Sequence, residues 1–300
     1  MYIMTDQRFT QITNFWSDVF EKDGRQFSRV AIESTYPLSY QLSSSRANVK
    51  MLIKKARANI NYSKTEVYDG LISELTVRQN EAENVTTEIA LDYDAPFTVN
   101  FSEGIPARTF IVFDRMRLYD IFSPLKIVID PGHGGDDKGG FGPVDLLEKN
   151  IALILAEQTK LYLDKYGAQT FLTRESDQKI PLRDRFNFAL SNKADLFISL
   201  HTHYDKNPEV KGLFVGYNPA AASSEKLAWL IAVEVARKTK RDIREIRRDS
   251  HLTALKKIPG VIIEPVTISN YVEEGLLRNP HLYEKVALGI FNGIKGLFDG

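Results

Sequence analysis

The sequence predicts two folds in one chain. A small all-β sandwich fills residues 1–120, and an α/β unit fills residues 121–300, with a mostly parallel sheet flanked by helices on both faces. Three observations predict this. Short segments that alternate apolar and polar residues dominate the first part. Strand and helix patterns alternate through the second part, as stacked βα units do. Between Lys126 and Glu148, KIVIDPGHGGDDKGGFGPVDLLE joins a β-branched run to a glycine-rich turn and the start of a helix. A length of 300 residues also suits two domains better than one.

In the first part the period-two pairs and triplets are Val30/Ile32, Leu38/Tyr40/Leu42, Val49/Met51/Ile53, Leu75/Val77, Ile89/Leu91/Tyr93 and Thr109/Ile111/Phe113. Such alternation marks half-buried strands. Polar breaks at Ser43-Ser44-Ser45 and from Asn80 to Asn84 separate them, which suggests a small antiparallel sandwich. None of the five histidines precedes residue 133, so this part is read as binding rather than chemistry. Arg115 to Pro124 reads as a short linker.

In the second part the expected strands are Lys126–Ile129, Thr170–Thr173, Leu196–Leu200, Gly212–Tyr217 and Val261–Glu264. The expected helices are Leu147–Tyr166, Leu182–Asn192, Ser223–Lys240 and Pro280–Phe298. The first helix carries apolar residues at 151, 154, 155, 161 and 162, an amphipathic stripe. The run KTKRDIREIRR, Lys238 to Arg248, mixes bases with acids and reads as a solvated helix face.

Composition narrows the function. Lys+Arg and Asp+Glu are equal at 39 each, so net charge is zero. Nucleic acid is a poor main partner, because phosphate binding leaves a basic excess. There is no cysteine, which excludes disulfides and Cys-ligated zinc. No apolar run approaches the roughly 20 residues of a membrane span. The opening MYIMTDQRFTQITNFW shows no basic stretch followed by an apolar one, so no signal peptide is visible.

The chemistry gathers at strand ends. Asp130-Pro131-Gly132 stops the first strand of the α/β unit, and glycines on both sides of His133 leave its imidazole at the strand's C-terminal edge. Ligands bind at that edge in open α/β sheets. His201 ends the run ADLFISL, Glu264 ends PGVII, and Glu148 opens the next helix. Two histidines and a glutamate are a catalytic zinc ligand set that keeps one position open for water. Taken singly, His133 is equally a turn residue, and Glu148 more readily a helix-start carboxylate favoured by the macrodipole.

The motifs DPGHGG, Leu147-Glu148-Lys149-Asn150, Thr173-Arg174-Glu175-Ser176-Asp177, ADLFISLHTH and VIIEPVTISN occur in that order over residues 125–299. Together they resemble the zinc-dependent N-acetylmuramoyl-L-alanine amidases of the Amidase_3 family. The resemblance implies one zinc ion on His133, Glu148 and His201, with Glu264 as general base. The reaction it implies is hydrolysis of the amide between N-acetylmuramic acid and the L-alanine of the stem peptide. FSRVAIES, PLSYQL and PARTFIVFD similarly resemble an AMIN domain, which implies targeting to peptidoglycan or the septum. The partners implied are peptidoglycan and an activator protein, for a monomer acting outside the cytoplasm, in the periplasm or cell wall, during cell division.

Further residues stand beside this set. His203 lies two after His201, so in a strand both side chains point the same way. The family usually has Asn or Asp there, and His203 reads as a support, a substrate contact or a competing ligand. Asp130 is a candidate to orient a ligand histidine. Arg174 and Arg185 match family arginines and read equally as substrate contacts or as ties between loops and helices. Ser269 and Asn270 read as turn and helix-cap residues. His251 and His281 are left on the surface. Thr267 stands where the family often has an aromatic residue, which leaves the peptide preference open. Only ten residues separate His201 from Gly212, so no long blocking insertion is expected there. Two alternatives remain: a non-catalytic peptidoglycan-binding scaffold, and a zinc peptidase cutting within the stem peptide.

Overall fold

The computed structural model describes residues 9–60, 63–80 and 83–299. Half of the opening segment read for a signal peptide, and the middle of the Asn80–Asn84 break, lie outside them. The chain divides into two compact units, Met1–Arg117 and Leu118–Gly300.

Among its described residues the first unit holds ten strands: β1 Thr10–Lys22, β2 Arg25–Ser34, β3 Ser39–Ser45, β4 Asn48–Lys54, β5 Ala56–Ala58, β6 Ser63–Glu66, β7 Ile72–Gln79, β8 Val85–Leu91, β9 Phe97–Ser102 and β10 Ala107–Asp114. They form two five-stranded sheets, ordered β5-β1-β2-β10-β9 and β3-β4-β8-β7-β6. All pairings are antiparallel except β1 with β5. Asp23 and Gly24, both at positive φ, make the two-residue turn joining β1 to β2, a sequence pair suited to that turn. Val30, Ile32, Ile111 and Phe113 are buried from one sheet; Val49, Met51, Ile53, Leu75, Val77 and Ile89 are buried from the other.

Two expectations fail here. β3 is exposed along its whole length, Tyr40 and Leu42 included, because it is an edge strand. Its serines belong to the strand, and the turn falls on Arg46 and Ala47 instead. The linker expected at Arg115–Pro124 is also ordered. Arg115 is fully buried, donating to Ser28 Oγ at 2.5 Å and to the Asp69 carbonyl at 2.6 Å. Helix α1, Met116–Phe122, follows, with Leu118 and Phe122 buried. Phe122 stacks on Phe291 at 4.4 Å.

The second unit holds a six-stranded sheet of β11 Lys126–Pro131, β12 Gln169–Leu172, β13 Leu196–Leu200, β14 Leu213–Tyr217, β15 Ile243–Arg248 and β16 Gly260–Glu264. The order is β12-β11-β13-β16-β14-β15. β12, β11, β13 and β16 run parallel; β14 meets β16 antiparallel and pairs parallel with β15. The helices are α2 Glu148–Asp164, α3 Leu182–Ser191, α4 Ser224–Thr239, α5 Tyr271–Leu276 and α6 Pro280–Phe298. Gly289 and Gly293 let α6 close onto Val235 and Ile231 of α4, where a β-carbon would collide with backbone. On one face of the sheet, Phe186 and Ala189 of α3 pack with Leu252 and Leu255 against Val128 and Phe197.

β15 corrects the reading of Lys238–Arg248. α4 ends at Thr239, Lys240 turns left-handed, and residues 243–248 form an edge strand. Its charges suggest a helix face, but Ile243, Ile246 and Arg247 are its half-buried residues. In α2, Leu161 points outward at 52% exposure; the buried stripe runs through Ile151, Leu155, Thr159 and Leu163.

Candidate metal centre and base

β11 delivers the DPGHGG loop to the end of the sheet. His133 adopts φ +60°, a left-handed conformation that few non-glycine residues take. Gly132 before it is required by space, because a β-carbon there would strike the His201 imidazole. Gly139 serves similarly, since its β-carbon would come within 2.7 Å of Glu148 Oε2. Glu148 opens α2 and is 4% exposed. His201 follows the last residue of β13.

These three residues converge: one ligand atom from each of His133, Glu148 and His201 lies within 4.8 Å of the others. Glu148 Oε1 is 2.9 Å from His201 Nδ1 and 3.3 Å from His133 Nε2. The backbone amides of Thr202 and Gly140 donate to Glu148 Oε1 and Oε2, at 3.0 and 2.6 Å. The histidine side chains remain about a quarter exposed, 24% for His133 and 23% for His201.

Charge follows from this packing. Burial pushes the Glu148 carboxyl up, but hydrogen bonds from His133 and His201 outweigh it, and the group sits well below the usual range. Burial pulls the His133 imidazole down; its bonds to Glu148 and Asp137 outweigh that and raise it. For Asp137, burial raises the carboxyl, but the bond to His133 and its charge outweigh that, so the net shift is downward.

Two histidine nitrogens and a carboxylate, gathered and still reachable from solvent, are a donor set that fits a zinc ion. Asp137 Oδ1 is 2.9 Å from His133 Nδ1, leaving Nε2 directed at the cluster. A carboxylate behind a ligand histidine fixes its tautomer and raises its basicity.

The structure also sorts the remaining candidates. Asp130 bonds no histidine. It accepts from Thr173 Oγ1 at 2.6 Å, Arg185 Nη1 at 2.6 Å and Ser199 Oγ at 2.7 Å, so the orienting carboxylate on His133 is Asp137, four residues along in the same loop. Arg174 and Arg185 are buried loop ties. Arg174 donates to the carbonyls of Pro131, Gly132 and Lys149, and Arg185 to those of Pro131, His133 and Ile180. Asn270 caps α5 by accepting from Val272 and Glu273 amides, and its side chain donates to the Pro208 carbonyl at 2.6 Å.

His203 does not follow the period-two rule, because β13 ends at Leu200. His201 turns to Glu148, while His203 Nδ1 is 2.8 Å from Glu264 Oε2. Glu264 ends β16 beside β13; the His201 amide donates to the Ile263 carbonyl at 3.0 Å, so His201 and Glu264 leave the sheet at one level.

Sequence reasoning missed two buried carboxylates, Glu273 and Glu274. Glu273 accepts from the amides of Gly212 and Thr267, and Glu274 from those of Val144 and Leu146. Their polar-looking pair at a helix start gave no sign of burial. His251 is exposed, as the sequence suggests, and lines the rim of a cavity of about 300 Å³ shared with His133, His201, Arg185, Asp249 and Leu252.

The profile of the N-acetylmuramoyl-L-alanine amidase family matches residues 127–296. A germination-specific N-acetylmuramoyl-L-alanine amidase of Bacillus subtilis (strain 168) is 32% identical over 188 residues, covering 57% of this chain and 79% of that protein. The structure of the catalytic domain of CwlV, an amidase of Bacillus (Paenibacillus) polymyxa, is similar with a TM-score of 0.55 at 29% identity, over 58% of this chain and 98% of that one. The CwlD amidase of Clostridioides difficile, solved in complex with the GerS lipoprotein, aligns with a TM-score of 0.51 at 28% identity, over 58% and 98% of the two chains.

Proposed function

The chain belongs to the N-acetylmuramoyl-L-alanine amidase family, and from that footing we propose that His133, Glu148 and His201 hold a zinc ion and that Glu264 is the general base. The enzyme is a peptidoglycan hydrolase that cleaves the amide between N-acetylmuramic acid and L-alanine. The observation that carries the site reading is the convergence of His133, Glu148 and His201 at the sheet end where Glu264 also emerges. Bound there, zinc would supply a Lewis acid for the amide carbonyl and lower the pKa of water.

The chain's own residues supply the rest. Gly132 and Gly139 clear the space in which the two imidazoles and Glu148 meet. Asp137 holds His133 in one tautomer. Glu264 takes a proton from the attacking water and returns one to the leaving amine. The β-sheet unit, residues 1–120 on the domain reading, is a targeting module of AMIN type for peptidoglycan or the septum. The enzyme works in the periplasm or cell wall. The clostridial relative solved with a lipoprotein supports an activator as a further partner.

Mass spectrometry of muropeptides incubated with and without EDTA tests this. Free stem peptides beginning at L-alanine should appear only without EDTA. Fragments cut inside the peptide would indicate a peptidase, and wall binding without any soluble product would indicate a scaffold. Glu264→Ala should cost roughly 10²- to 10⁴-fold in rate; full activity in that variant would remove Glu264 as the base.

A further inference from the structure

Glu264 is gripped on one oxygen. Its Oε2 lies 2.8 Å from His203 Nδ1 and 3.7 Å from Arg247 Nη2. Among the described residues, Oε1 has no hydrogen-bond partner. Both gripping groups are themselves held by Phe214 of β14, which pairs with Glu264 across the sheet. The His203 imidazole stacks on that ring at 3.7 Å with an interplanar angle of 15°, and the Arg247 guanidinium lies 6.0 Å from its centroid. Arg247 reaches Glu264 because residues 243–248 form a strand beside β14, with Gly216 paired to Arg247.

We propose that His203 and Arg247, packed on Phe214, are positioning residues for Glu264: they tie Oε2 and leave Oε1 free to exchange a proton. The proposal rests on the reading of Glu264 as the base. A glutamate at a strand end has three rotatable bonds, and a base works only within hydrogen-bond reach of the proton it takes. A hydrogen bond from His203 and an ion pair with Arg247 on one oxygen restrict those torsions. A planar ring beside both groups restricts them in turn, through stacking on His203 and cation–π attraction with Arg247. His203 is thereby committed to the base and stands outside the cluster of His133, Glu148 and His201.

The experiment is steady-state kinetics on a soluble muropeptide with the zinc-loaded full chain, together with zinc content and thermal melting of each variant. His203→Phe and Arg247→Ala should each lower kcat roughly 10- to 100-fold, the usual cost of losing an orienting partner, with KM, zinc content and melting temperature unchanged. His203→Gln, which keeps an N–H donor, should recover most of kcat. In a Glu264→Ala background, His203→Phe should cost nothing more, because residues acting as a unit are not additive. A further loss in that background, a change confined to KM, or no loss in either single variant would overturn the proposal. If His203→Phe loses zinc or melts early, Arg247→Ala and His203→Gln decide alone. Full activity of Glu264→Ala by itself would instead sink the base assignment on which the proposal stands.

Discussion

Asp137 reaches back four residues to His133, Oδ1 to Nδ1 at 2.9 Å, within one glycine-rich loop. The same oxygen also accepts from the Gly139 amide at 3.2 Å. One carboxylate therefore fixes the imidazole and the glycine that makes room for Glu148. Asp137→Ala should weaken zinc binding about 10- to 100-fold. A competition titration against a coloured chelator reads this directly, and unchanged affinity would deny Asp137 the orienting role.

Metal stabilisation should depend on pH. In the metal-free fold, His133 is raised above 6.5, so its contribution is complete below that value and fades as pH rises through the raised one. Glu148 is lowered from 4.5, so its contribution is complete above 4.5 and is lost as pH falls through the lowered value. The metal-free pair is thus at its best between those two ordinary values, where zinc must displace a proton. The rise in melting temperature on adding zinc should be smallest near pH 5.5 and grow towards pH 8. A flat difference over that range would contradict the linkage.

Gly132→Ala drives a methyl group into the His201 imidazole. A displacement of about 1 Å in such a site costs on the order of 10²-fold. Activity and zinc content should fall together. Retention of both would mean that the loop yields more easily than its packing indicates.

Arg185 and Asp130 are a buried pair, 6% and 3% exposed at 2.6 Å. Removing one partner strands the other charge. Arg185→Met should destabilise the α/β unit by about 3–5 kcal/mol, measured by urea unfolding. A change under about 1 kcal/mol would show that Asp130 finds adequate partners in Thr173 and Ser199 alone.

Periodicity made the parallel strands legible, since β11, β13 and β16 are apolar runs with abrupt ends. The ends carry His201 and Glu264, so strand termination and chemistry were read from the same residues. β15 was not legible, because an edge strand half-buries only Ile243, Ile246 and Arg247 and its charges mimic a helix face. β3 failed for the related reason that alternation shows faces without telling whether anything covers them. Glu273 and Glu274 stayed hidden because their burial depends on backbone amides from other loops, and Asp137 because its bond to His133 depends on the left-handed turn of their shared loop. His203 could not be placed by counting in twos, because the strand stops before it.

The two ends of the six-stranded sheet differ in how they meet the outside. β12 is four residues long and partly covered, whereas β15 presents Arg244, Glu245 and Arg248 from an open backbone edge. A foreign strand adding there would have to bury charged side chains beside the edge row of amides and carbonyls. Charged side chains blunt such edges against lateral growth. The arginine-rich strand that brings Arg247 to Glu264 thus also guards the open edge of the sheet against strand addition.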